Sequence, residues 1–153
     1  MSAAALGPVV FAYDGSELAK LAIEEAGRQL ESGREALVVC VWQPFDVGFV
    51  PAMGLLIDAA QARDVEKAAQ ETAAEGASIA EAAGFKVRSL AVEGAPSWKA
   101  IVDVADVHDA SMIVLGSHGR TGLADVLLGS VAGAVAAHSS RPVLISHRRP
   151  DVS

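Results

Sequence analysis

Five short apolar runs alternate with segments of helical periodicity, and that alternation restricts the fold more than any other property of the chain. Val9 to Tyr13 is apolar and partly β-branched, and it stops at the turn tripeptide Asp14-Gly15-Ser16. From Glu17 to Glu31, residues Leu18, Ala22, Ile23, Ala26 and Leu30 fall on one helical face, with Gly33 placed as a C-cap. Ala36 to Trp42 is a second strand, nearly all Val and Leu. Pro44 to Gly54, interrupted by Gly48 and Pro51, reads as a loop.

Leu55 to Ala83 is an Ala/Glu/Gln-rich helix stopped by Gly84, packing through Ala with Ile57, Val65 and Ile79. Phe85 to Val92 alternates weakly, as a strand nearer a sheet edge does. Pro96 fits the first position of a helix running to about His108. Met112 to Leu115 is the fourth strand, Gly116 to Leu127 a glycine-rich loop, and Leu128 to Ser139 a helix. Pro142 opens the last strand, Val143 to His147.

Strands that are apolar on both sides must be covered on both sides, which implies a parallel sheet between two helical layers. The expectation is an α/β protein: one doubly wound domain with a five-stranded parallel sheet and helices on both faces. No internal repeat, linker or low-complexity stretch divides residues 1–153, so the core is expected at about 7–148 between short flexible termini.

With 52% hydrophobic and 20% charged residues the chain is globular in type. A formal net charge of −7 argues against nucleic acid as a partner, since few cations are available to displace counterions. The one basic cluster, Arg148-Arg149, is too short to alter that. The single cysteine, Cys40, lies in a strand and reads as a buried, inert thiol, and no Cys/His cluster has metal-ligand spacing. The N-terminus lacks a signal-peptide pattern, and the longest apolar run, Val126 to Ala137, is too short to span a bilayer. A cytoplasmic protein without membrane association is expected.

In an open parallel sheet, ligands bind beyond the carboxyl ends of the strands. Two loops of unusual composition leave that rim, Asp14-Gly15-Ser16 and Gly116-Ser117-His118-Gly119. The second continues through nine residues to Gly129-Ser130. Glycines at 116 and 119 allow close backbone approach to an anion, and Gly129-Ser130 opens a helix whose N–H groups and dipole favour phosphate. Alternatively, the glycines only make turns and Ser130 only caps. A P-loop, a dinucleotide-binding G-x-G-x-x-G after the first strand and a G-x-S-x-G elbow are all absent.

Val9-Val10-Phe11-Ala12-Tyr13-Asp14-Gly15-Ser16, Gly116-Ser117-His118-Gly119-Arg120 and Gly129-Ser130-Val131 together resemble the universal stress protein family. The spacing matches its G-x2-G-x9-G-[ST] nucleotide motif in full. Ser139-Ser140-Arg141-Pro142-Val143-Leu144 resembles its entry to the last strand. The resemblance implies strand order 3-2-1-4-5, a homodimer joined through the last strand, and an ATP site. In that site Ala12 and Asp14 border the nucleotide, and Val41 lies beside the adenine. Leu115 and Gly116 form the ribose and phosphate edge, while Gly119, Gly129, Ser130 and Val131 hold phosphate. Ala12 departs from the proline that some ATP binders carry there. Mg or Mn would arrive on the phosphates.

Asp14 can coordinate such a metal or orient the nucleoside; equally, it can cap the first helix or fix its turn. His118 invites a general-base role, against which stands a solvent-facing loop histidine. Arg120 either contacts the terminal phosphates or is solvated. Gly129 to Ala136 reads as a close helix–sheet packing face, and Trp42 and Trp98 as core or pocket-edge aromatics. His138 and His147 receive no role. The favoured function is a regulatory ATP-binding, stress-response protein whose occupancy an unknown protein partner reads. The alternatives are a slow ATPase or phosphotransferase using the same pocket, and a nucleotide-free interaction module. Phosphoryl transfer requires concentrated positive charge and an oriented nucleophile, and no P-loop lysine is present.

Overall fold

The alternation read from the sequence is present throughout residues 6–44, 59–119 and 128–148, which the computed structural model describes. The elements run β1 (Val9–Ala12), α1 (Glu17–Gln29), β2 (Glu35–Trp42), α2 (Ala59–Ala82), β3 (Lys86–Glu93), α3 (Ser97–Val107), β4 (Met112–Gly116), α4 (Ser130–His138) and β5 (Val143–Ser146). All strands pair in parallel, in the order β3-β2-β1-β4-β5. β1 is central, and its Val9, Val10 and Phe11 are at most 1% exposed.

Alternate residues of the strands feed two apolar layers, as a strand period of two requires. Val9, Phe11, Ala36, Val38 and Val114 face α1 and α2, meeting Ala22, Ile23, Ala26 and Ala80. Val10, Leu37, Val39, Ile113 and Leu115 face α3 and α4, meeting Ile101, Val104, Ala105, Ala132 and Val135. The first layer extends over the end of β2, where Cys40 and Trp42 pack on Val65, Ala69 and Ala73 of α2. Trp42 is thus a core residue, and Cys40 is buried as expected. β3, the strand expected near an edge, is the edge.

Several boundaries shift. α1 ends at Leu30, whose N–H bonds to the Ala26 carbonyl, while Gly33 stands farther on at φ +90° and donates to the Gly84 carbonyl. Gly33 therefore makes the turn into β2 and does not cap α1. Pro96 is the N-cap of α3, one position before the expected one. α4 begins at Ser130, two residues later than its composition suggested. The expected loop beyond Pro44, Ile57 of the second helix, Arg120 to Leu127, and the termini 1–5 and 149–153 lie outside the described residues. Among the described residues, no helix is long and apolar enough to cross a membrane.

Candidate functional site

Strand order reverses between β1 and β4. β1 leads by α1 to β2 on one side, whereas β3 returns by α3 to β4 on the other. The loops leaving the carboxyl ends of β1 and β4 therefore diverge and open a crevice, the position at which open parallel sheets bind ligands.

At the end of β1, the Asp14 carboxylate accepts a hydrogen bond from the Ser16 backbone through Oδ1, at 2.9 Å. Ser16 caps α1, its Oγ accepting from the Ala19 N–H at 3.2 Å. Asp14 thus fixes the turn, and the capping alternative passes to Ser16. The other carboxylate oxygen is directed at the second loop: a Cβ on Gly119 would lie 2.7 Å from Asp14 Oδ2. The two loops singled out in the sequence thus approach each other at the rim.

Ser117 organises the second loop. Its N–H donates to the Ser146 carbonyl at 2.8 Å, extending the β4–β5 ladder past the strand ends. Its carbonyl accepts from the Gly129 N–H at 2.6 Å, holding the start of α4 against the loop. Its hydroxyl lies 3.1 Å from His118 Nδ1, and the residue is only 2% exposed. His118 is half-buried against this hydroxyl, not a solvent-facing side chain. Nothing in the sequence marked Ser117 as the residue joining β4, β5 and α4.

Gly129 occupies the N-cap of α4 with no side-chain cap, so Ser130 is the first helical residue and does not cap it. The first backbone bond of the helix runs from the Gly133 N–H to the Gly129 carbonyl. The N–H groups of Ser130, Val131 and Ala132 precede that bond and point out of the helix start, where the dipole is positive. Gly116 has a different task. A Cβ there would meet the backbone of Leu18 at 2.9 Å, so its lack of a side chain seats the first turn of α1 on β4.

Ala12, Val41 and Val131 are partly buried against the apolar layer that contains Leu115. These four predicted residues share the α3/α4 face of the sheet, beneath the crevice. Asp14, Gly119, Gly129 and Ser130 lie at its rim. Together they place an apolar shelf beside a backbone-lined rim. Arg120 is among the residues not described. A divalent ion carried on phosphates could take a ligand from Asp14; among the described residues no group of three or more His, Cys, Asp or Glu could hold a metal by itself.

Two further contacts join the surrounding elements. The Tyr13 hydroxyl donates to Glu75 Oε1 of α2 at 2.8 Å, and burial first, then this bond, push its pKa far above the ordinary tyrosine range. Trp98 of α3 stacks on His138 of α4, with ring centroids 4.2 Å apart. Their forty-residue separation hid the pairing in the sequence.

The sequence model of the universal stress protein family matches residues 6–147. The chain belongs to the universal stress protein family. Universal stress protein MJ0531 of Methanocaldococcus jannaschii is 32% identical over 140 residues, covering 90% of this chain and 79% of that protein. The chain spans less than half of other curated relatives. Over 145 residues it matches 45% of Mycobacterium tuberculosis Rv2005c at 32% identity, and over 66 residues it matches 40% of M. jannaschii MJ0577 at 42% identity.

Among solved structures, that of MJ0577 superposes with a TM-score of 0.75 at 26% identity, covering 97% of this chain and all of that one. A universal stress protein in complex with cAMP superposes with a TM-score of 0.64 at 27% identity, covering 95% and 100%. The Archaeoglobus fulgidus protein in complex with dAMP gives a TM-score of 0.59 at 25% identity, covering 93% and 98%. The five-stranded order 3-2-1-4-5 is thus the fold of the family.

Proposed function

We propose that this universal stress protein is a regulatory binder of ATP, held in the crevice between β1 and β4. The observation that carries this reading is the approach of Asp14 to Gly119, where a Cβ would meet the carboxylate, beside the uncapped start of α4. The adenine would rest on the shelf of Ala12 and Val41, and Leu115 and Gly116 would border the ribose. Ser130 and Val131 would present backbone N–H groups to phosphate, Gly119 and Gly129 would let the phosphate come close to the backbone, and Arg120 is nearby in the chain. The relatives solved with cAMP and dAMP support an adenine nucleotide as the ligand class.

Bound nucleotide would tie the β1 loop to the β4 loop, and the resulting surface is what a protein partner would read. A cytoplasmic homodimer joined through β5 fits this scheme: Val143, Leu144 and Ile145 remain partly exposed along a sheet edge, which is a template for pairing with a second chain. Turnover is expected to be slow or absent, because phosphoryl transfer requires concentrated positive charge and an oriented nucleophile and the sequence has no P-loop lysine. Calorimetric titration with ATP tests the proposal. The wild type should bind, and a Gly129→Val, Ser130→Ala variant should bind at least tenfold more weakly if backbone N–H groups supply the anion contacts. Equal affinities would remove the phosphate cradle.

A further inference from the structure

Arg148 follows the end of β5 by two residues, and β5 ends at the same carboxyl rim as β4. β5 runs parallel to β4 with Gly116 opposite Ser146, and the Ser117 N–H continues the ladder to the Ser146 carbonyl at 2.8 Å. His147 and Arg148 therefore follow β5 at the same rim where Ser117, His118 and Gly119 follow β4. Ser117 is in turn bonded to Gly129 at the start of α4. Arg148 thus leaves the sheet at the carboxyl rim, from the strand next to β4 and its phosphate loop.

The other described cations are engaged or distant. Arg141 pairs with Asp109 and Asp106, and Lys99 with Asp103. Arg28 pairs with Glu25, and Arg34 donates to Ser111 at the opposite end of the sheet. Lys20 lines a groove toward α2 with Glu24 and Ala83. Arg63 and Lys67 flank Val65, which packs over the end of β2, on the far face from α4 and separated from β4 by β1. Lys86 and Arg88 begin β3 at the amino rim. Arg148 is exposed and in no ion pair among the described residues.

The charges that the crevice already holds are unfavourable to a polyphosphate. Asp14 borders it and Glu17 stands in the first turn of α1. A nucleoside monophosphate brings up to about two negative charges, which backbone N–H groups at a helix start can serve, whereas each added phosphate raises the repulsion unless a cation compensates. An arginine is suited to that task, being permanently charged and able to bind two phosphate oxygens at once.

We infer that Arg148 contributes phosphate-length specificity, contacting the β- and γ-phosphates so that the site favours nucleoside di- and triphosphates over monophosphates. The inference rests on the nucleotide-binding reading above and names the specificity of that site.

Calorimetric titrations of ATP, ADP and AMP into the wild type, Arg148→Gln and Arg148→Lys, with Mg2+ present and with it chelated, test it. The wild type should favour ATP over AMP by about tenfold or more, as expected for a charge-assisted contact at an exposed site. Arg148→Gln should weaken ATP by about five- to twentyfold while changing AMP by less than about twofold, and Arg148→Lys should recover part of the loss. Discrimination should persist when Mg2+ is chelated. An unchanged ATP-to-AMP ratio in Arg148→Gln, or discrimination that exists only with Mg2+, would overturn the assignment; the second outcome would transfer it to a metal at Asp14. A wild type that binds all three nucleotides equally refutes Arg148 alone. One that binds none refutes the nucleotide site itself. Thermal melting should show the variants folded, since Arg148 holds no ion pair whose loss could unfold them.

Discussion

Asp14 and Gly119 face each other across the crevice so closely that a Cβ on residue 119 would stand 2.7 Å from Oδ2 and the carboxylate would have to move. A hundred residues of sequence separate them, and they share the rim because β1 and β4 are adjacent parallel strands. Gly116, three residues earlier, is crowded by the backbone of Leu18. The two glycines of one motif thus answer to different neighbours.

Gly119→Ala and Gly116→Ala should therefore fail in different ways. The first displaces the Asp14 carboxylate and should weaken ATP binding by about tenfold with a small stability change, since a surface loop absorbs the shift. The second pushes α1 off β4 and should cost about 1–3 kcal/mol of stability, as overpacking does. Urea unfolding and calorimetry on both variants check the pair. Equal stability losses would show that the distinction is wrong.

Ser16→Ala removes the hydroxyl that accepts from the Ala19 N–H. Loss of an N-cap costs about 1 kcal/mol, which lowers the melting temperature of a chain of this size by about 2–4 °C. Because Asp14 still binds the Ser16 backbone, the turn should survive, and nucleotide affinity should change by less than about twofold. A melting temperature unchanged from wild type would mean the cap contributes nothing.

Tyr13 is the single tyrosine of the chain, so phenolate absorbance reports it alone. Burial and then the bond to Glu75 raise its pKa in the folded state. A raised pKa means the folded chain holds this proton more tightly than the unfolded chain does. Its contribution to stability is fully present below pH of about 10, the unfolded tyrosine value, and is lost as pH rises above it. Phenolate absorbance should therefore rise only together with unfolding, and Tyr13→Phe should flatten the loss of stability above that pH. A separate phenolate transition in folded protein would contradict the buried hydroxyl.

How much of this was legible in the sequence depended on the range of the interaction. The strands could be read because burial on both faces leaves runs such as Val9–Phe11 without polar residues, and the helices because Leu18, Ala22, Ile23 and Ala26 repeat along one face. Gly129 and Ser130 could be placed near a helix start from composition. Which of them caps could not, because the choice depends on the Ser117 carbonyl that anchors the Gly129 N–H. The strand order came from family resemblance, since apolar runs alone do not say which strands are neighbours. Ser117, the Tyr13–Glu75 bond and the Trp98–His138 stack were invisible for the same reason: each joins residues whose proximity only the assembled sheet creates.

The central claim is that an adenine nucleotide occupies the crevice between β1 and β4, and amide hydrogen exchange with and without ATP tests it most directly. Saturating ATP should slow exchange at residues 14–16, 116–119 and 129–133, with the α3 surface around Lys99 and Val107 unchanged. No slowing at the start of α4, or slowing confined to the α3 surface, would contradict it.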